Sequence, residues 1–296
     1  MLTLTGKEKM SFNKEKFGPL FIFLSAFLWS LAGIFTKSVA WDGVCLATLR
    51  GVLAFIAAGC LLRWRKVQLN RVKVLCALCY FAQGVLFMCA NKFTTAGNAA
   101  VLQNMSPLYI ILMNAVISKK PPKKNEILVC VILFIGIGLA FAGQLGGGAA
   151  LGNILAMLSA LFYAGVFFLS KQENAEPIES LFLGNACYLF LVPILVTNQT
   201  VLHTNLHDWI FILFFGFISG FGAWYCFSIG IKYATALQAS FIALAEPVMA
   251  PIWTYLFLHE KISTLSLIGF IIVIGTLIVY NIDAARHASH ESKAAA

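Results

Sequence analysis

Charge is what this chain lacks. Only 11% of its 296 residues are Asp, Glu, Lys or Arg, while 60% are hydrophobic; a soluble domain carries about twice that charged share. So little polar surface could not cover a water-soluble fold of this length, so the chain reads as an integral membrane protein. Room for a soluble domain is also missing. The apolar stretches are joined by short loops, and the polar ends are MLTLTGKEKMSFNKEK and AARHASHESKAAA. The leading end has no small-residue cleavage site, so a cytoplasmic start before a first span is expected rather than a removed signal peptide.

Reactive chemistry is scarce too. All eight cysteines fall in apolar stretches, which leaves no disulfide framework. Cys76-x-x-Cys79 has no second pair nearby and reads as small apolar side chains rather than half a metal site. The histidines His203, His207, His259, His287 and His290 lie at a helix end, in loops and in the tail, and neither H-E-x-x-H nor G-x-S-x-G occurs. With a single deep carboxylate, an intramembrane enzyme has no nucleophile, acid pair or metal to work with, and no cofactor is expected. A channel would call for rings of like charge or a carbonyl-filter sequence, and a sensor for an output domain; the chain shows neither.

What is there is hydrophobic length. A spanning helix needs ~20 apolar residues, and such stretches run over 17–37, 44–62, 73–91, 96–118, 127–143, 150–170, 178–197, 208–230, 235–258 and 264–282. The net charge of +9 is distributed asymmetrically. Of 21 basic residues, 17 fall at one set of helix ends: before helix 1, between helices 2 and 3, between helices 4 and 5, at Lys171 and Lys232, and in the tail. Lys37, Lys92 and Lys261 fall at the other set, and Arg50 is inside helix 2. The positive-inside rule then puts both termini in the cytoplasm. The basic balance is topological; short clusters flanking spans are not a nucleic-acid footprint.

The chain also repeats itself. LSAFLWSLAGIFTK (Leu24–Lys37) lies over LSALFYAGVFFLSK (Leu158–Lys171), with Trp29 on Tyr163. KFTTAGNAAVLQNMSP (Lys92–Pro107) lies over KYATALQASFIALAEP (Lys232–Pro247), with Asn98 on Gln238 and Pro107 on Pro247. Ordered matches of this kind indicate duplication. The expected architecture is all-α: a first five-helix repeat over 17–143, a second over 150–282, and polar cytoplasmic tails at 1–16 and 283–296. Five is odd, so the second repeat enters the membrane inverted, a recurrent transporter plan.

The same blocks carry a resemblance. The Trp29-Ser30 pair, NKFTTAGNAAVLQNMSPLY around helix 4, ALAEPVMAPIWTYLFLHEKIS through helix 9 and IGFIIVIG in helix 10 resemble the drug/metabolite transporter superfamily, in its EamA-type ten-helix branch. The likeness spans nearly the whole chain. It departs where helix 4 closes on Lys119 and Lys120, a place where the family often has an acid. The resemblance implies a carrier, exporting or importing, whose central cavity is lined mainly by helices other than 5 and 10.

Helical spacing gathers small, aromatic and polar residues into stripes: Ser25, Trp29, Ala32 and Thr36; Cys76, Tyr80, Gln83 and Phe87; Gln103, Ser106, Ile110 and Asn114; Ser159, Tyr163, Val166 and Ser170; Ala239, Ala243, Glu246 and Ala250. Such stripes serve either close helix packing in lipid or a cavity wall. On the second reading the candidate substrate-binding residues are Trp29, Tyr80, Gln83, Asn98, Gln103, Tyr163, Trp224 and Glu246. Aromatic plates with amides suit an organic solute bearing apolar parts and a few polar groups.

Pro107, Pro247 and Pro251 each remove a backbone donor inside a span. The carbonyls they free need partners or water, at a packing kink or at a bend that helps two halves rock. Glu246 lies ~16 Å along helix 9 and Arg50 ~9 Å into helix 2 at 1.5 Å per residue. An unpaired charge at such depth costs several kcal/mol. Three roles stay open: an Arg50–Glu246 ion pair, a Glu246 that binds a proton or a cationic group, and an Arg50 that meets a substrate carboxylate. The expected protein is a multi-pass secondary transporter of the bacterial inner-membrane type, monomer or homodimer. It moves an amino acid or related amphipathic solute by alternating access, with or without proton coupling. A multidrug or toxic-metabolite exporter of the same fold is the alternative.

Overall fold

The computed structural model describes residues 14–32, 39–94, 99, 102–140, 150–258, 264–265, 267–269, 271–276 and 278–280. Among these, every regular element is helical. Each expected apolar stretch carries one: α1 (Lys14–Ser30), α2 (Gly43–Leu61), α3 (Arg71–Phe93), α4 (Ser106–Ser118), α5 (Lys124–Ala140), α6 (Ala150–Leu169), α7 (Pro177–Thr197), α8 (Leu206–Tyr233), α9a (Ala236–Ala243) with α9b (Ala245–Leu258), and α10 (Leu267–Tyr280). Five of them, α2, α3, α6, α7 and α8, are 19 to 28 residues long and apolar enough to cross a bilayer. The expected sites Asn98 and Thr36 lie outside the described residues, as do Lys37, Lys261 and most of both tails.

Starts are set by side-chain caps that satisfy orphan backbone donors. Asp42 Oδ1 accepts from Cys45 N at 2.9 Å, Asn70 Oδ1 from Lys73 N at 2.8 Å, Asn205 Oδ1 from Asp208 N at 2.8 Å and Thr235 Oγ1 from Gln238 N at 3.1 Å. α4 ends on Lys119, whose φ of 53° is left-handed, ahead of Pro121 and Pro122, which cannot extend a helix.

The bends expected at Pro107 and Pro247 are breaks. Leu102 and Gln103 are helical, Asn104 and Met105 turn, and α4 begins at Ser106, so the expected span 96–118 is interrupted. In the mate, α9a ends, Leu244 turns and α9b begins at Ala245. Met105 (φ −73°, ψ −1°) and Leu244 (φ −63°, ψ −9°) have nearly the same backbone. Their N–H groups donate three residues back, to Leu102 O at 3.2 Å and Phe241 O at 3.1 Å, tightening one turn into 3₁₀ form. Each proline then sits in the first turn of a new helix, where a missing N–H leaves no bond unmade. Pro251 continues inside α9b.

Contacts between helices come in matched sets. α3 packs along α6 and α8 along α1; α3 meets α7 and α8 meets α2; α4 meets α6 and α9 meets α1. Under the sequence alignment of the halves, α1 corresponds to α6, α3 to α8 and α4 to α9, so each contact is the image of its partner. The outer surface is strongly apolar, with Phe190 84% exposed and Val116 and Leu206 each 76% exposed, as lipid contact demands. α8 is not uniform: Gly216–Gly222 is a π-helical turn, and it lies on α2.

Candidate functional site

The helix breaks bring Gln103 and Glu246 to one cavity. Trp29 and Ala32 reach it from α1, Arg50 from α2, and Gln83, Phe87 and Met88 from α3. Tyr163 of α6 and Ser219 and Trp224 of α8 complete it. No lining residue comes from α5 or α10 among the described residues. The volume is ≈ 30 Å³, room for about two waters. That is less room than an organic solute needs.

Its floor is aromatic. The Trp29 and Trp224 rings meet at 4.6 Å, Trp29 and Tyr163 at 5.8 Å, all edge-on, the geometry favoured by ring quadrupoles. Tyr80 does not line this space. It stands behind Trp224, ring to ring at 4.5 Å, and faces a second, smaller pocket.

Polar atoms converge here without partners. Among the described residues, seven buried side-chain N and O atoms have no hydrogen bond, and five belong to residues lining this space: Trp29 Nε1, Trp224 Nε1, Arg50 Nε, Gln83 Oε1 and Ser219 Oγ. An orphaned buried polar group costs about 1–3 kcal/mol, so folded proteins hold few of them. Five of the seven thus belong to residues around one cavity. Gln103 is less free, because its Nε2 donates to Ser159 Oγ at 3.1 Å and that hydroxyl donates to Gln83 O at 3.2 Å. This chain pins the end of the α4 lead-in to α6 and α3.

Glu246 and Arg50 line the same space, and of the roles left open for them the direct ion pair is not formed here: the two charged groups do not come within 4.0 Å. Glu246 makes no side-chain hydrogen bond to any described residue. Arg50, 5% exposed, is held otherwise. Its guanidinium carbon lies 5.8 Å from the centre of the Phe215 ring, within cation–π range. Gly220 provides its bed: a β-carbon there would lie 2.7 Å from Arg50 Cγ. Gly216, one turn earlier, packs on Leu53 of the same helix. The Gly216-x-x-x-Gly220 spacing thus serves close packing of α8 on α2.

The remaining stripe residues divide. Ser25, Ser106, Ile110, Ser159, Ala239 and Ala243 are buried in packing. Cys76, Val166 and Ser170 line the second pocket. Asn114, farther along the same helix as the buried Ser106 and Ile110, is exposed. Met88, Ser219 and Tyr188 are additions. Tyr188 is fully buried beside Arg50, with its hydroxyl donating to Phe81 O at 3.4 Å. The signal for Ser219 was its place as a lone hydroxyl in a glycine-punctuated apolar run.

A solved crystal structure superposes with a TM-score of 0.77 at 18% identity, covering 92% of this chain and 98% of the other; this likeness concerns the fold alone. A protein from Archaeoglobus fulgidus, described as an uncharacterized transporter, is 26% identical over 91% of this chain and 98% of its own length. One from Clostridium kluyveri with the same description is 26% identical over 90% and 94%. The sequence profile of the EamA-like transporter family matches residues 16–142 and again 150–282. An all-helical, lipid-faced chain matched twice by that profile, with relatives described as transporters and no catalytic constellation required of it, belongs to the EamA-like transporter family of the drug/metabolite transporter superfamily.

Proposed function

We propose that this protein is a secondary transporter for a small amphipathic organic solute of the amino-acid class, bound between two inverted five-helix repeats of the inner membrane. The observation that carries the reading is the cavity whose lining residues hold five orphaned polar atoms, with the Glu246 carboxylate beside them. Its donors are the indole N–H groups of Trp29 and Trp224 and the Arg50 guanidinium. Its acceptors are Gln83 Oε1 and Glu246, and Ser219 serves either way. Donors alone would suit an anion and acceptors alone a cation. The mixture suits a solute with both, and one guanidinium with one carboxylate favours a ligand of no net charge. The aromatic floor takes the apolar part.

A space of ≈ 30 Å³ must widen before a solute fits. Alternating access supplies the widening, with the halves moving about the matched helix contacts. The breaks in α4 and α9 place irregular backbone where a membrane protein tolerates it, against a cavity. Glu246 then takes either a proton or the solute's cationic group, and competition between them couples the two fluxes.

Reconstituted protein preloaded with unlabelled neutral amino acids should show saturable counterflow of the labelled solute, and Glu246→Gln should lose most of it while staying folded. Normal counterflow with unchanged pH dependence in Glu246→Gln would refute the role given to the carboxylate. Unsaturable conductance would refute the carrier. A multidrug exporter of the same fold is the second reading, favoured by the aromatic floor; it predicts counterflow of apolar cations and none of zwitterions.

A further inference from the structure

Behind the Tyr80–Trp224 contact lies the second pocket, ≈ 10 Å³, room for about one water. Cys76 and Tyr80 of α3, Ser170 after α6, Ser180 of α7, and Trp224 and Ser228 of α8 line it. Trp224 is shared with the central cavity, so the two spaces are neighbours divided by a pair of rings. The far wall is hydroxyl-rich, although its hydroxyls are occupied: Ser180 Oγ donates to Ala175 O at 2.7 Å and Ser228 Oγ to Trp224 O at 2.8 Å.

Beyond it, one turn before Cys76 on α3, Lys73 Nζ meets Glu179 Oε2 at 2.5 Å, and Arg65 Nη2 meets Glu179 Oε1 at 2.8 Å. Glu179 lies between Pro177 and Ser180, both of which line the pocket. Lys73 and Glu179 side chains are 7% and 11% exposed, whereas Arg65 is 63% exposed and reaches in from water. Asn70 Nδ2 adds a bond to Asn174 O at 2.9 Å. Every one of these contacts joins a residue of the first repeat (Arg65, Asn70 or Lys73) to one of the second (Asn174 or Glu179). By the distribution of lysine and arginine, this end of the bundle is the cytoplasmic one.

We infer that Lys73–Glu179–Arg65 is the cytoplasmic latch of the transport path and that the Tyr80–Trp224 pair is its inner partition, so a solute passes between the central cavity and the cytoplasm only when both have parted. The inference rests on the carrier reading above. The chemistry suits a latch better than a fold anchor. A buried ion pair adds little net stability over apolar packing, yet depends steeply on geometry. With Arg65 already in water, separation lets water reach each charge, so opening strands none of them in the bilayer.

A native thiol reports the event. Cys76, 2% exposed, sits between partition and latch. In a variant retaining Cys76 as its only cysteine, Glu179→Gln should raise alkylation by a membrane-impermeant maleimide at least about tenfold, the change that corresponds to 1.4 kcal/mol. The rise should come from the cytoplasmic face only. Lys73→Gln should act in the same direction, more weakly, since Arg65 still holds Glu179; it also serves if Glu179→Gln does not fold. Monodisperse variants whose Cys76 reacts no faster than the parent's, or reacts faster from the opposite face, would overturn the latch. Counterflow in the same vesicles separates the two ideas. Saturable flux with latch-independent labelling sinks the latch alone, and latch-dependent labelling without saturable flux sinks the carrier reading.

Discussion

Ser219→Ala deletes one atom and tests the cavity's chemistry twice. Ser219 is fully buried, its Oγ has no partner, and it faces the central space. A serine inside a helix usually bonds back to the carbonyl four residues earlier, as Ser228 does to Trp224 O at 2.8 Å. Ser219 stands in the π-helical turn Gly216–Gly222 and does not. Removing an unsatisfied buried hydroxyl recovers its desolvation cost, about 1–3 kcal/mol, and a water in the cavity would keep the gain near the lower figure. We therefore expect the empty protein to gain about 1 kcal/mol, seen as a thermal midpoint about 2–4 °C higher. The solute loses one neutral hydrogen bond of about 1 kcal/mol, so KM for counterflow should rise about fivefold. Thermal unfolding without ligand and counterflow in vesicles read the two effects with opposite signs. A variant that is less stable than the parent and has the parental KM would refute the claim that this hydroxyl is held in reserve for the solute.

Three further outcomes follow from the packing. Gly51→Ala places a β-carbon inside the ring of the fully buried Tyr188. It should cost about 1–3 kcal/mol by overpacking, read as a lower unfolding midpoint. Trp253→Phe removes the bond from Trp253 Nε1 to Ser30 Oγ at 2.7 Å that ties α9b to α1. It should lower stability by about 1 kcal/mol while leaving KM unchanged, since neither residue lines the cavity. Asp42→Ala removes the α2 cap and the bond from Asn198 Nδ2 at 2.8 Å, at a cost of about 1 kcal/mol near neutral pH. Burial opposes ionisation of Asp42, but hydrogen bonds from Cys45 and Val44 and the charge of Lys92 outweigh it and hold the carboxyl below its usual range. The cap's contribution is therefore present above the ordinary carboxylate range and lost as pH falls below about 4. The gap between parent and variant in a pH series of unfolding midpoints should close there.

The helices were legible because bilayer thickness turns composition into length. The stripes at 3.6-residue spacing gather Trp29, Gln83 and Tyr163, which lie on regular turns and line the central space, while Gln103 and Glu246 line it from beside the helix breaks. Where the helix is irregular, spacing misleads. A proline announces a missing donor, but whether the chain bends or breaks depends on residues such as Met105 and Leu244 taking ψ near zero, which no propensity of methionine or leucine announces. The π turn displaces Ser219 from the α-helical register, hiding it from a periodic reading. Depth along a helix said that Arg50 and Glu246 lie at comparable levels; it carried no information on azimuth, so the ion pair looked natural and the structure leaves the groups apart. Tyr80 was on the right stripe but one step too far along it, where the indole of Trp224 stands between it and the cavity.

The paired breaks in α4 and α9 have an energetic consequence. If a carrier were assembled from two identical inverted halves, its inward-open and outward-open forms would be related by a two-fold rotation and equally populated when empty. Here the halves share the joint but not its chemistry, since Ser106 stands in one where Glu246 stands in the other. On the carrier reading proposed above, differences of this kind remove the degeneracy, and the empty protein would rest unequally between its two orientations. Such a preference sets which side of the membrane the binding site waits on and the concentration at which each side saturates. It leaves the direction of net flow to the gradient.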